Sequence, residues 1–255
     1  AKDNAAGYSI ATNWETQLGS LDVAADNAAT GADMLTTLED TYSLVSSHLQ
    51  RVRDLTEQAA NGTYGSDSLK AIASEITARL EEIDRISANC EFNGLKMMDG
   101  SLTDDINLQV GLYSDAASRI ALDASLFQNG HVSALFKTFG GVGGATVAEV
   151  AKLCSGYDGK QITGGQNEML NKIDAVISEI SARTTTLGAA QNRIESAVES
   201  INVQSENITS SLSTLRDADV AEESSNYIKA QILQQASATL LATANQTPSI
   251  ALNLL

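Results

Sequence analysis

The sequence predicts a mainly α fold: a long antiparallel helical bundle or coiled-coil rod, with a small β-hairpin and a short variable insert. Three observations lead there. Ile173, Ile180, Leu187, Ile194, Ile201, Ile208 and Leu215 recur at seven-residue intervals without a miss, and such unbroken heptads mark a helical seam. Apolar residues between Leu21 and Ala59 recur in alternating steps of three and four. The single proline is Pro248, and aromatics make up 4% of 255 residues. Long helices are therefore uninterrupted, and little is available to fill a thick globular core.

The first helix is expected from about Ala5 to Ala60. Its seam carries Leu21, Ala24, Ala28, Gly31, Leu35, Leu38, Tyr42, Val45, Leu49, Val52, Thr56 and Ala59. At 1.5 Å per residue it is roughly 80 Å long, with Gly31 and Thr56 as local weak points. The cluster from Asn61 to Asp67 is a turn, and Ser66 or Asp67 caps a second helix. Leu69, Ile72, Ile76, Leu80, Ile83 and Ile86 line one of its faces, and it ends near Asn89. Phe92-Asn93-Gly94 is a further turn. Alternation over Ile106–Val110 and again at Ile120–Leu122 predicts a β-hairpin broken at Tyr113-Ser114-Asp115.

Residues 128–165 are the least periodic, with glycine runs at 140–144 and 164–165. They read as an insert or extended loop holding a short helix over Thr146–Leu153. In the last long segment the alternate seam positions are Val176, Arg183, Ala190, Ala197, Gln204 and Ser211. Small and polar residues there let a partner helix approach closely, with Arg183 and Gln204 as register markers. Asp219 is the expected N-cap of a final helix, whose stripe is Ile228, Ile232 and Leu240. The expected division is 1–102 for the N-terminal helices, 103–165 for hairpin and insert, 166–218 for the long C-terminal helix and 219–255 for the final helix.

Composition removes several function classes. The 32 acidic and 16 basic side chains leave a net charge of −16. Nucleic-acid binding needs clustered Lys and Arg that this chain lacks, and the same charge repels anionic lipid. No apolar run approaches the roughly 18–20 residues of a membrane span. The opening AKDNAAG has no initiator Met and no n- or h-region, so no secretory signal peptide is expected. Cys90 and Cys154 lack any CxxC-type spacing, which favours two free thiols over a bridge or zinc site.

Catalysis finds no support in the motifs. The two histidines are His48, expected to face solvent beside the first seam, and His131, next to Asn129-Gly130. GxSxG, HExxH, GxxxxGK[ST] and GxGxxG are absent, so neither an enzyme nor a cofactor is expected. Asp26, Asp33, Glu39 and Asp40 read as charges off the seam of an exposed helix, not as metal ligands. Glu75, Arg79, Glu82 and Arg85 are spaced to support the second helix by ~0.2–0.5 kcal/mol per pair. The sequons at Asn61, Asn207 and Asn245 are short, common patterns. An apolar C-terminus ending Leu252, Leu254 and Leu255 is a liability on a monomer and points to a partner.

Certain segments resemble bacterial flagellin. They are Ala1 to Gly7 (AKDNAAG), Leu49 to Leu55 (LQRVRDL), Glu82 to Ile86 (EIDRI) with Phe92-Asn93-Gly94, Ala230 to Ala236 (AQILQQA), and Ala244 to Pro248 (ANQTP). The resemblance covers residues 1 to about 125 and 165 to 255. It implies a structural subunit of the extracellular flagellar filament, with a helical rod (D1) from residues 1–215 and the C-terminal helix of an inner coiled coil (D0) from 219–255. The N-terminal D0 helix is expected to be missing. It further implies other flagellin subunits and an export chaperone as partners, the chaperone at the C-terminal helix. Assembly would use Ile228, Ile232, Leu240, Leu252, Leu254 and Leu255. It also implies that the chain, through D1, is a ligand of the innate immune receptor Toll-like receptor 5, at positions similar to Gln50, Arg51, Leu55 and Glu75. The alternatives are a signalling coiled coil of chemoreceptor type, against which the hairpin and insert argue, and a hook–filament junction protein.

Overall fold

The structure, a computed structural model, describes residues 5–137, 146–158, 166–216 and 220–253. Helix α1 spans Ala5–Ala60 and helix α2 spans Ser66–Asn89. In the turn between them the Thr63 N–H donates to Asn61 Oδ1. Strands β1 (Glu91–Phe92) and β2 (Leu95–Lys96) form a short ladder closed by Asn93 and Gly94, both at positive φ, the geometry a tight hairpin turn needs. The sequence reads this segment only as a turn. Strand β3 (Ile106–Gln109) pairs antiparallel with β4 (Arg119–Leu122), Ile106 opposite Leu122 and Gln109 opposite Arg119. This is the expected hairpin.

The described part of the insert has the expected short helix and one helical turn more. It holds a single turn α3 (Val132–Leu135) and a helix α4 (Val147–Ser155). A capping box of Thr146 and Glu149 starts α4, and Gly156 in the left-handed region ends it. Val150, Ala151 and Cys154 are buried where α4 packs against α2. Both glycine runs lie outside the described residues. The last helices are α5 (Gln166–Arg216) and α6 (Val220–Asn253).

The chain divides into two compact units, Gly19–Ser205 and Ala1–Leu18 with Glu206–Leu255. In the larger unit every expected α1 seam position is buried, Gly31 and Thr56 included. Gly31 is there for a reason other than a weak seam: a Cβ on it would stand 2.3 Å from Leu108 Cδ1 of the hairpin. Thr56 satisfies its hydroxyl on Val52 O at 2.7 Å. On α5 the seam from Ile173 through Ile201 is buried, except Arg183 and Ala197, which are half-buried.

Helix α5 runs antiparallel to α1. Arg53 Nε meets Asp174 at 2.6 Å, and Glu39, further back on α1, meets Gln191, further on along α5, at 3.0 Å. Helix α2 also lies antiparallel to α1, since Arg51 meets Glu75 while Thr41 meets Cys90 just past the end of α2. Tyr42, 1% exposed, donates its hydroxyl to Leu126 O at 2.8 Å and so ties the segment after β4 to α1.

In the smaller unit Ala11 is buried and Arg216 pairs with Glu15. Residues 224–244 of α6 are exposed all round.

Candidate functional site

The described residues offer exposed surfaces and shallow grooves. Among the described residues no group of three or more His, Cys, Asp or Glu stands together to hold a metal, and no helix is long and apolar enough to cross a membrane. His131 Nδ1 lies 3.4 Å from Asp84, whose carboxylate also accepts the Val132 N–H at 2.7 Å. That arrangement caps the α3 turn. His48 does not face solvent as expected: it is half-buried, with Nδ1 sealed and unpaired. Burial, then the Arg79 charge, lowers its pKa against a weaker opposing pull from Glu82. The reason is α2, which folds back over that flank of α1.

The four residues implied for receptor recognition do not form one exposed patch. Arg51 and Glu75 come together: Nε and Nη2 of Arg51 both lie 2.9 Å from Glu75 Oε1, with side chains 48% and 38% exposed. Arg79, one turn on along α2, stands 3.9 Å from the same carboxylate. Gln50 is exposed but lies on the other flank, lining a 470 Å³ groove between α1 and α5 with Ser46, Ser47 and Ser181. At about 100° per residue, neighbours on a helix cannot share a face. Leu55 is 2% exposed. It is a core residue beside Thr56, not an exposed apolar contact, because it sits on the flank that α2 covers. Sequence reasoning missed Arg79 as a neighbour of this pair, and His48 as a neighbour of Arg79. The helical spacing of Glu75 and Arg79 carried part of that signal.

An exposed ion pair of this kind adds ~0–1 kcal/mol to stability, so Arg51 and Glu75 are available for other work at little structural cost. The cysteines are free and buried. Cys90 donates to Thr41 Oγ1 at 3.4 Å, and burial pushes its pKa up. Cys154 lies in hydrogen-bond contact with the Thr56 hydroxyl, and burial pushes its pKa up to about 12. A buried thiol with a raised pKa is a poor nucleophile.

The expected assembly stripe is exposed on α6, with Ile228 at 55%, Ile232 at 60% and Leu240 at 69%. Tyr227, Leu233 and Leu241 are exposed beside it, and the sequence reading omitted them. Such a continuous apolar surface marks an interaction site. Leu252 falls within α6, while Leu254 and Leu255 lie outside the described residues.

Comparison with known proteins bears on these surfaces. Residues 1–103 match the bacterial flagellin N-terminal helical region, and residues 170–255 match the bacterial flagellin C-terminal helical region. A flagellin of Bacillus subtilis is 33% identical over 273 aligned residues, which cover 100% of this chain and 87% of that protein. Among solved structures, a Bacillus cereus flagellin has a TM-score of 0.53 at 23% identity, covering 69% of this chain and 88% of its own. A flagellar hook-associated protein from Vibrio parahaemolyticus has a TM-score of 0.69 at 14% identity, covering 84% of this chain and 99% of its own. At those identities the structural likenesses bear on the fold alone.

Proposed function

Because this chain belongs to the bacterial flagellin family, and is a structural subunit of the extracellular flagellar filament and not an enzyme, we propose that its Arg51–Glu75 pair is the anchor of a docking surface for Toll-like receptor 5. The observation that carries the reading is the pairing itself. A guanidinium and a carboxylate from two helices meet at 2.9 Å while both stay open to solvent. Arginine is favoured as an interface anchor, because its planar fork engages partners in fixed geometry. Gln50 joins as a peripheral contact. Leu55 acts from beneath, by holding α1 against α2.

In the same proposal the larger unit corresponds to D1, and α6 belongs to D0. The apolar stripe of Ile228, Ile232 and Leu240 is the surface that an export chaperone covers before secretion and that other subunits cover afterwards. The same assembly role is proposed for Leu252, Leu254 and Leu255 from the sequence resemblance alone.

The test is a binding titration of the chain against the receptor ectodomain. Arg51→Ala and Glu75→Ala are each expected to weaken binding by about 30-fold, the ~2 kcal/mol of an interface hot spot, with thermal stability nearly unchanged. Unchanged affinity in both variants removes the site. Leu55→Ala is expected to lower stability first, by ~2–5 kcal/mol.

A further inference from the structure

Arginines in this acidic chain are nearly all engaged. Arg51, Arg53, Arg79, Arg85, Arg183 and Arg216 each stand within ion-pair distance of a carboxylate. Among the described residues two do not, Arg119 and Arg193, and both line one groove. It lies between the β3–β4 hairpin and α5, with a volume of about 630 Å³. Val110 and Ile120 contribute from the hairpin, and Ser196 and Ile201 from α5. Arg119 Nε donates to Gln109 Oε1 at 3.1 Å, which aims the side chain without neutralising it. In a chain of net charge −16, two unneutralised guanidiniums in one concave site select an anionic occupant.

The chain also presents the complementary surface. Asp22, Asp26, Asp33 and Asp40 are exposed on α1, and among the described residues no ion pair involves any of them. At about 100° and 1.5 Å per residue, the four lie within ~40° of one another and span ~27 Å. Asn27 and Gly31, the α1 residues that meet the hairpin, lie roughly 100–180° around the helix from this stripe. Stripe and groove therefore occupy opposite flanks of the same unit, at the same level along α1. One copy cannot close its own stripe onto its own groove.

We propose that the Arg119–Arg193 groove of one copy receives the Asp22–Asp40 face of a second copy of this chain. The contact joins two different patches, so it is heterologous. Each bound copy leaves one unused groove and one unused stripe, and such a contact propagates into an open row instead of closing a dimer. Family membership supplies the self-assembly. The geometry assigns a lateral, charge-steered contact within it, independent of the receptor surface. Because the carboxylates are solvent-exposed, the contact weakens with salt.

The experiment is self-association of the full chain, followed by sedimentation over a range of salt. Reversing the groove with Arg119→Glu and Arg193→Glu together is expected to raise the concentration needed for association by about tenfold, equivalent to ~1.4 kcal/mol. Reversing the stripe with Asp26→Arg and Asp33→Arg is expected to do the same. Carrying all four changes in one chain restores complementarity, and association returns to within about threefold of the parent. If a reversal lowers the helix content, Arg119→Gln with Arg193→Gln reads the same contact at a smaller amplitude. Three results overturn the proposal: association of the parent that is absent or insensitive to salt, association of the groove variants equal to the parent, or no recovery in the four-fold variant.

Discussion

Cys154 makes the fold alkali-sensitive in a way that can be isolated. The thiol is fully buried on α4, in contact with Thr56 of α1, and burial pushes its pKa from an ordinary 9.0 up to about 12. Below the ordinary value both folded and unfolded chains keep the proton, and pH has no effect through this group. Between the two values the unfolded chain releases the proton and the folded chain retains it, so stability falls as pH rises. The slope is about 1.4 kcal/mol per pH unit. About two units above the unfolded value, the loss reaches ~2.7 kcal/mol. The perturbation is Cys154→Ala, which removes the group that titrates. The assay is urea unfolding under reductant at stepped pH from about 8 to about 11. Cys90, tyrosines and lysines contribute to both proteins, so they cancel in the difference. The expected result is two stability curves that converge as pH rises, the parent losing its lead over the variant. Parallel curves would refute the reasoning, because they would mean that the thiol is not sealed by α4 and α2.

Two further outcomes test the packing around α1. Tyr42→Phe removes the hydroxyl that reaches Leu126 O at 2.8 Å and strands that carbonyl; a loss of ~1–3 kcal/mol is expected, read as a lower urea midpoint with unchanged slope. His48 has a lowered pKa through burial, so the stability it contributes is present above its ordinary 6.5 and is lost as pH falls through the folded value. His48→Gln is expected to flatten the fall in thermal midpoint between about pH 7 and about pH 5, measured by circular dichroism.

The seams were legible because a helix that buries one stripe must repeat every third and fourth residue. That rule places Leu35, Leu49, Ile180 and Ile194 in the core before any coordinate is known. The hairpin was legible through its period of two. What periodicity does not encode is which second element reaches a given flank. Leu55 and His48 sit at the edge of the α1 stripe, where burial depends on α2 folding back. Gly31 reads as a defect in the stripe, yet the hairpin leucine Leu108 occupies the space where its side chain would stand. Gly111 is similar: a Cβ there would lie 2.9 Å from Ser118 Cα, a close approach between two segments that no local pattern announces. Helix α4 is too short for its spacing to declare a buried face, and the sequence reading did not use the Thr146 and Glu149 capping box that starts it.

The heptad pattern of α5 also continues further than the burial does. Ile201 is 4% exposed, but Ile208 is half-buried and Leu215 is 40% exposed, with Val203 at 54%. Periodicity states that a helix face requires cover; it does not state that the same chain provides it. A monomeric protein under no such requirement gains nothing from keeping isoleucine and leucine in register on an exposed face, and exposed apolar rows carry an aggregation cost. The row is intelligible in a filament subunit, whose remaining apolar faces are completed by other copies. The same logic separates the two proposed assembly surfaces. The α6 stripe is apolar and gains from burial at roughly 25 cal/mol per Å², so it favours tight packing. The aspartate and arginine faces gain little energy at their exposed positions but fix direction and exclude wrong partners. An open polymer needs both, one to hold copies together and the other to ensure that each adds in the same sense as the last.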